Sequence, residues 1–168
     1  RDWSSDVCSS DPPTLDTLSN VNINEDAAQQ TVNLSGISSG AANESQTLTV
    51  TATSSNTGLI PDPSVTYSSA DTSGSISFTP VANANGTATI TVTVNDGGGT
   101  ANGGVESVSR SFTVTVTAVN DAPTLDTLSN VNINEDAAQQ TVNLSGISSG
   151  AANESQTLTV TEIGRAHV

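Results

Sequence analysis

The chain has no lysine and no methionine, and its one cysteine, one histidine and one tryptophan all lie near its ends, at Cys8, His167 and Trp3. Three arginines stand against seventeen acids, giving a formal net charge of −14 and a pI near 4.1. Such a surface repels nucleic acid and anionic membranes, and it suits a protein that tolerates or uses cations. A single cysteine excludes an internal disulfide. No apolar run approaches the roughly 20 residues of a membrane span, and no stretch reads as a signal peptide. Aromatics make up 2% of the residues. Residues 12–161 hold no histidine, cysteine or lysine. That leaves no triad, thiolate, Schiff-base amine or zinc set. A carboxylate pair working on a glycoside would lack an aromatic platform for the sugar. The expectation is that the chain is not an enzyme.

What is present is order of period two. "TLTVTAT" (47–53), "TATITVTVND" (87–96) and "SFTVTVTAV" (111–119) alternate threonine or serine with aliphatics over whole segments. Alternation of this kind marks half-buried antiparallel strands and argues against disorder in a polar, acidic chain. The regular threonines would line the outer faces. Similar rows occur on ice-binding surfaces, but the β-propensity of threonine accounts for them more simply.

Residues 13–51 recur without a change at 123–161, an offset of 110. That period is too long for a solenoid turn and right for a sandwich domain. The expected organisation is a complete repeat over 12–121 and the first part of the next over 122–161. The flanks, 1–11 and 162–168, read as foreign. Codons ATC GGA AGA GCA CAC GTC encode Ile163–Val168, and their reverse complement encodes Asp6–Asp11. One DNA segment in opposite orientations thus accounts for both ends, and it resembles a common sequencing adapter. The flanks are set aside as a processing scar would be, which leaves thirteen acids and one base, Arg110, over 12–161.

Turn clusters divide 12–121 into seven expected strands: Thr14–Asn24, Thr31–Ile37, Thr47–Thr53, Val65–Ser68, Ser75–Thr79, Ala88–Asn95 and Ser107–Val119. Between them lie "SSGAANES", "PDPS", "ADTSG", "NANG" and "NDGGGTANGG". Seven strands in about 110 residues predict an all-β, immunoglobulin-like Greek-key sandwich. Arg110 shares parity with Val108, Phe112 and Val114, which points it inward; an ion pair or a bulge turning it outward is expected. "NLS", "NES" and "NGT" match the glycosylation pattern at a frequency that an Asn/Ser/Thr-rich chain produces by chance. Residues 122–161 carry only the first three strands. These could also stand in for 13–51, since 52–161 contains every strand once.

The junction "TAVNDAPTL" (117–125), "NEDA" (24–27) and "VTVNDGGGTANGG" together resemble the cadherin-like tandem repeats of large bacterial surface and secreted proteins. The resemblance covers essentially all of 12–161. It implies sandwiches strung head to tail, an extracellular or cell-surface location, and a structural or adhesive role with Ca²⁺ between beads. Neighbouring repeats of the same chain would then be partners, and a cell-surface glycan or protein a further one. Tracing the chain from pole to pole places Glu25, Asp26, Asn120 and Asp121 at one end of a bead, and Glu44, Asp71 and Asp96 at the other. The cadherin pattern maps its glutamate after the first strand onto Glu25, its Asn-Asp linker onto Asn120 and Asp121, and its Asp-x-Gly aspartate onto Asp96. Two further acids of that pattern have no counterpart in "VANANG" (81–86). At the one junction here, Glu154 alone represents the facing set. The candidate Ca²⁺ ligands are therefore Glu25, Asp26, Asp96, Asn120, Asp121 and Glu154, against the simpler reading of solvated loop charges. Asp96, before three glycines, is as well suited to a turn as to a ligand. The expected function is a stalk or spacer module of a large adhesin; the alternative is a binding module that contacts a glycan or protein through its polar loops.

Overall fold

The computed structural model describes residues 11–40, 46–100 and 104–161. The two foreign-looking flanks, apart from Asp11, lie outside the described residues, as does Glu44. The chain forms two compact units, Arg1–Ala118 and Val119–Val168.

The first unit has seven strands: β1 (Val21–Asn24), β2 (Gln30–Leu34), β3 (Thr49–Ser54), β4 (Ser64–Thr66), β5 (Gly74–Phe78), β6 (Gly86–Asn95) and β7 (Ser107–Thr117). They make two sheets, ordered β1-β7-β6-β3 and β2-β5-β4. Pairing is antiparallel except between β1 and β7, which run parallel from Val21↔Val114 to Asn24↔Thr117. Among the described residues there is no helix. Each element follows from its alternation. In β6, Ala88, Ile90, Val92 and Val94 are buried while Thr89 faces out. In β7, Phe112, Val114 and Val116 do the same. On the outer face, threonine and serine hydroxyls pair across the strands, Thr91 with Ser111 at 3.0 Å and Thr93 with Ser109 at 2.8 Å. The core between the sheets adds Leu15, Leu34, Ile37, Leu48, Leu59, Ile60, Ile76 and Phe78, with Val21, Ile23, Val32 and Val50 packed against it.

Two expectations are corrected. The first strand is not continuous from Thr14 to Asn24. Thr14 bridges Ser38, and Asp16 N–H donates to the Ser35 carbonyl, both beside β2. Only Val21–Asn24 pairs with β7, on the other sheet. The crossing is secured at Asn20, whose Oδ1 accepts from Thr113 N at 2.9 Å. A side chain thus supplies the acceptor that the bending backbone no longer offers. Arg110 makes neither a bulge nor, among the described residues, an ion pair. β6 and β7 keep unbroken register across ten residue pairs, with Arg110 opposite Val92. It stays on the inward parity, half-buried, with Nη1 donating to the Ser109 carbonyl at 3.2 Å.

The second unit repeats the local geometry of residues 13–51 without their ladders. Thr124 bridges Ser148 as Thr14 bridges Ser38. The Thr124 hydroxyl donates to Gly146 O at 2.7 Å, where Thr14 reaches Gly36 O at 2.6 Å. Ser145 donates to Asp126 at 2.7 Å, and Ser35 to Asp16 at 2.8 Å. Backbone φ is +56° at Asp136 and +59° at Asp26. Yet no strand longer than the single bridge forms among the described residues of 123–161. Leu125, Val131, Ile133, Leu144, Ile147 and Val160 are exposed. Three strands' worth of sequence has no second sheet to pack on, so the ladders that burial would stabilise do not form.

Candidate cation sites at the ends of the sandwich

In the first unit the strand directions set two ends. β1 and β7 finish together, and Glu25 N–H donates to the Thr117 carbonyl at 2.9 Å. Glu25 is buried at this end, at 4% exposure. Its neighbour Asp26 takes the left-handed conformation of the β1–β2 turn, and its Oδ1 accepts from Asn83 N at 3.0 Å. That bond ties the turn to the loop before β6. The acid-poor "VANANG" loop therefore meets Asp26 through a backbone donor where the cadherin pattern would bring further carboxylates.

Asp96 lies at the opposite end, where β6 gives way to the glycine loop. It is 3% exposed. Its N–H donates to the Glu106 carbonyl at 3.1 Å, and its Oδ1 accepts from Gly98 N at 2.8 Å. Its Oδ2 is buried and meets no hydrogen-bond donor. The residue is thus a turn former with one carboxylate oxygen, and the other remains available inside the loop. Asp71, at the same end, is exposed and accepts the Tyr67 hydroxyl on its backbone carbonyl at 3.0 Å. Burial raises the Tyr67 pKa above its ordinary 10.0, the Asp71 carboxylate adds to the rise, and a hydrogen bond with Ser69 opposes it.

The second unit brings together three of the candidate ligands. Asp121 N–H donates to Glu154 Oε1 at 2.5 Å, and Asn120 Nδ2 reaches the Asp121 carbonyl at 3.0 Å. Glu154 Oε2 is buried without a hydrogen-bond donor. Gln156, which the sequence did not single out, completes the group by donating from Nε2 to Asn120 Oδ1. Its polar neighbours in sequence gave no signal, because the contact spans 36 residues. So the structure joins Asn120, Asp121 and Glu154 in one unit and places Glu25 with Asp26 at the end of the sandwich opposite Asp96. Among the described residues, no group of three or more Asp, Glu, His or Cys side chains is close enough to hold a metal ion on its own.

No protein-family model matches the chain, and no curated protein matches it. Among solved structures it is similar to the titin domains z1z2 in complex with telethonin, at 16% identity and a TM-score of 0.44, covering 71% of this chain and 55% of that one. It is also similar to domains 4 and 5 of the S-layer protein SbsC, at 21% identity and a TM-score of 0.40, covering 63% and 54%. A longer piece of that protein, domains 4–9, aligns at 19% identity and a TM-score of 0.38, covering 78% of this chain and 19% of that one. The chain spans about half the length of the first two of these structures. At these scores the likenesses carry no argument about function. The two packed sheets, the parallel β1–β7 pair and the split first strand define the first unit as an all-β sandwich of the immunoglobulin-like class. No described helix is long and apolar enough to cross a membrane.

Proposed function

We propose that the chain is a spacer module of a large extracellular surface protein, in which immunoglobulin-like beads follow one another head to tail and extend a stalk. One observation carries this reading. The chain enters the sandwich beside Ser38, at the Asp96 end, and leaves it at Thr117, beside Glu25, at the opposite end. A bead whose entry and exit lie at opposite poles adds its length to the string, and residues 123–161 repeat residues 13–51 without a change. Adhesion is then the task of domains the stalk presents. The alternative, ligand capture by the bead's own loops, draws no comparable support from the geometry.

Calcium belongs to the same proposal. Ca²⁺ takes six to eight oxygens. The donors present are of the right kind, with buried carboxylate oxygens on Asp96 and Glu154 that meet no hydrogen-bond donor. The number within either unit falls short, so ligands from two consecutive beads would complete the shell, with the Asp96 end of one bead facing the Glu25, Asn120 and Asp121 end of the bead before it. Bound there, the ion would supply charge neutralisation between acidic beads and stiffen the string. Thermal melting of two intact beads in tandem tests the cation: the melting temperature should rise in millimolar Ca²⁺ relative to chelator, and no difference would refute the site. The spacer itself is tested by small-angle scattering of two intact beads in tandem, which should give an elongated particle. A compact, side-by-side pair would refute it.

A further inference from the structure

The stretch that introduces the second unit is fastened to that unit residue by residue. Asn120 Oδ1 accepts from Gln156 Nε2, and Asp121 N–H donates to Glu154 Oε1. Ala122 lies against Gly150: a Cβ there would stand 2.6 Å from the Ala122 carbonyl oxygen and 2.7 Å from the Asp121 Cβ. Pro123 has a fixed φ and holds Ala122 to extended conformations. Thr124 then bridges Ser148, its N–H donating to the Ser148 carbonyl at 3.0 Å. The loop that receives these residues is itself set. Gly150 N–H donates to Ser148 Oγ at 3.3 Å, and Glu154 N–H to the Ala151 carbonyl at 3.3 Å.

The glycine seat recurs in the first unit. A Cβ on Gly40 would stand 2.7 Å from the Pro12 carbonyl oxygen and 3.0 Å from the Asp11 Cβ, and Gly40 N–H donates to Ser38 Oγ at 3.2 Å. Backbone φ is +108° at Gly40 and +112° at Gly150. The close approach and the positive φ both select glycine. The first unit has its sandwich, whereas 123–161 shows only a single bridge among its described residues. The seat therefore depends on the local loop and not on the sheets around it.

We propose that residues 120–123 are a rigid stem of the unit they introduce, held by Glu154, Gln156 and the bare face of Gly150, and that bending along the string is confined between Thr117 and Asn120. On the near side of that joint, Thr117 closes β7: it pairs with Asn24, and its carbonyl accepts the Glu25 N–H. Ala118 and Val119 lie between the two fixed points. A joint that short leaves the string stiffer than a flexible linker over 118–123 would, and it requires no ion. The consequence for the string rests on the spacer reading above, whereas the stem itself rests on the contacts of Asn120, Asp121 and Ala122.

Amide hydrogen exchange and backbone amide relaxation of the full chain, in chelator, test the stem. The Asp121 amide should exchange at least about tenfold more slowly than in a free chain, and the amides of residues 120–122 should be as ordered as that of Thr124. Glu154→Ala combined with Gln156→Ala should remove the protection and loosen 120–122, with the urea midpoint of the first unit unchanged. Glu154→Gln keeps an acceptor for the Asp121 N–H and should retain the protection. Gly150→Ala should displace the stem and lose it. An Asp121 amide that exchanges at the free-chain rate in the unmodified protein, or that stays protected in the double variant, would overturn the stem. Equal losses in Glu154→Gln and Glu154→Ala would overturn the bond that holds it. Scattering from two beads judges the spacer separately, since a compact pair would refute the spacer while Asp121 stays protected.

Discussion

Replacing Leu34 by alanine and, separately, Leu144 by alanine changes the same residue in the same 39-residue sequence, yet the two variants should behave differently. Leu34 is 1% exposed, inside the core as the last residue of β2; Leu144 is 41% exposed. Emptying a buried leucine site removes its transfer free energy and leaves a cavity, at about 3–5 kcal/mol for a well-packed core. Leu34 is held between two sheets by Ile76, Ile37 and their neighbours, so little collapse into the space is expected. A surface substitution away from special features changes stability by about 0.5 kcal/mol or less. For a sandwich of roughly 100 residues, about 3 kcal/mol lowers the melting temperature by roughly 12–20 °C. Urea unfolding followed by far-ultraviolet circular dichroism at low micromolar concentration reads both, with an unchanged m-value showing that the denatured state is not the cause. Equal effects of the two substitutions would refute the assignment of the core to the first copy. A larger effect of Leu144→Ala would mean that 123–161 is the copy inside the sandwich.

Further outcomes follow from single contacts. Gly36→Ala should destabilise the first unit by more than about 1 kcal/mol, because φ is +66° and the Asp16 carboxylate fills the space where a Cβ would stand; Gly146→Ala, with the same local clash, should leave the main unfolding transition in place. Asp26→Ala removes the acceptor for Asn83 N and should cost about 1–3 kcal/mol, read from the urea midpoint. In two intact beads in tandem, Asp96→Asn made in both keeps an acceptor for Gly98 N while removing a charge from a buried site, so it should raise the melting temperature in chelator and abolish any gain from Ca²⁺. A gain that persists in the variant would take Asp96 out of the cation site. The raised Tyr67 pKa means that the folded state favours the neutral phenol. Its contribution is complete below pH 10 and declines as pH rises through the folded-state value; Tyr67→Phe should flatten that decline in urea midpoints measured between pH 8 and 11.

The strand positions were legible because threonine–aliphatic alternation fixes which residues face inward. β6 and β7 match the sequence reading to within about two residues at each end. The split of the first strand was not legible. Nothing in "TLDTLSN" (14–20) announces that Asn20 will bond Thr113, a residue 93 positions away. Arg110 misled for a related reason. Parity placed it inward correctly, but the Ser109 carbonyl that its guanidinium meets was not legible as the partner. Glu25 and Asp26 were assigned to one end of the first unit and Asp71 and Asp96 to the other, as the structure has them, because turn positions follow from strand direction. The Asn83 partner of Asp26 and the Gln156 partner of Asn120 came from loops whose approach no spacing encodes.

The duplicated segment separates the two sources of order within one molecule. Residues 13–51 and 123–161 have the same letters, and they share whatever depends on near neighbours in sequence: the left-handed residues Asp26 and Asp136, the glycines that admit an aspartate carboxylate, and the threonine hydroxyls that bond the Gly36 and Gly146 carbonyls. They differ in everything that needs distant partners. The first copy has strands and buried leucines; the second has one bridge and exposed ones. Turn geometry is settled by short-range sterics and local hydrogen bonds, which the sequence carries with it. Strand ladders and a core require another surface to exclude water from both sides, and β4–β7 supply that surface to one copy only.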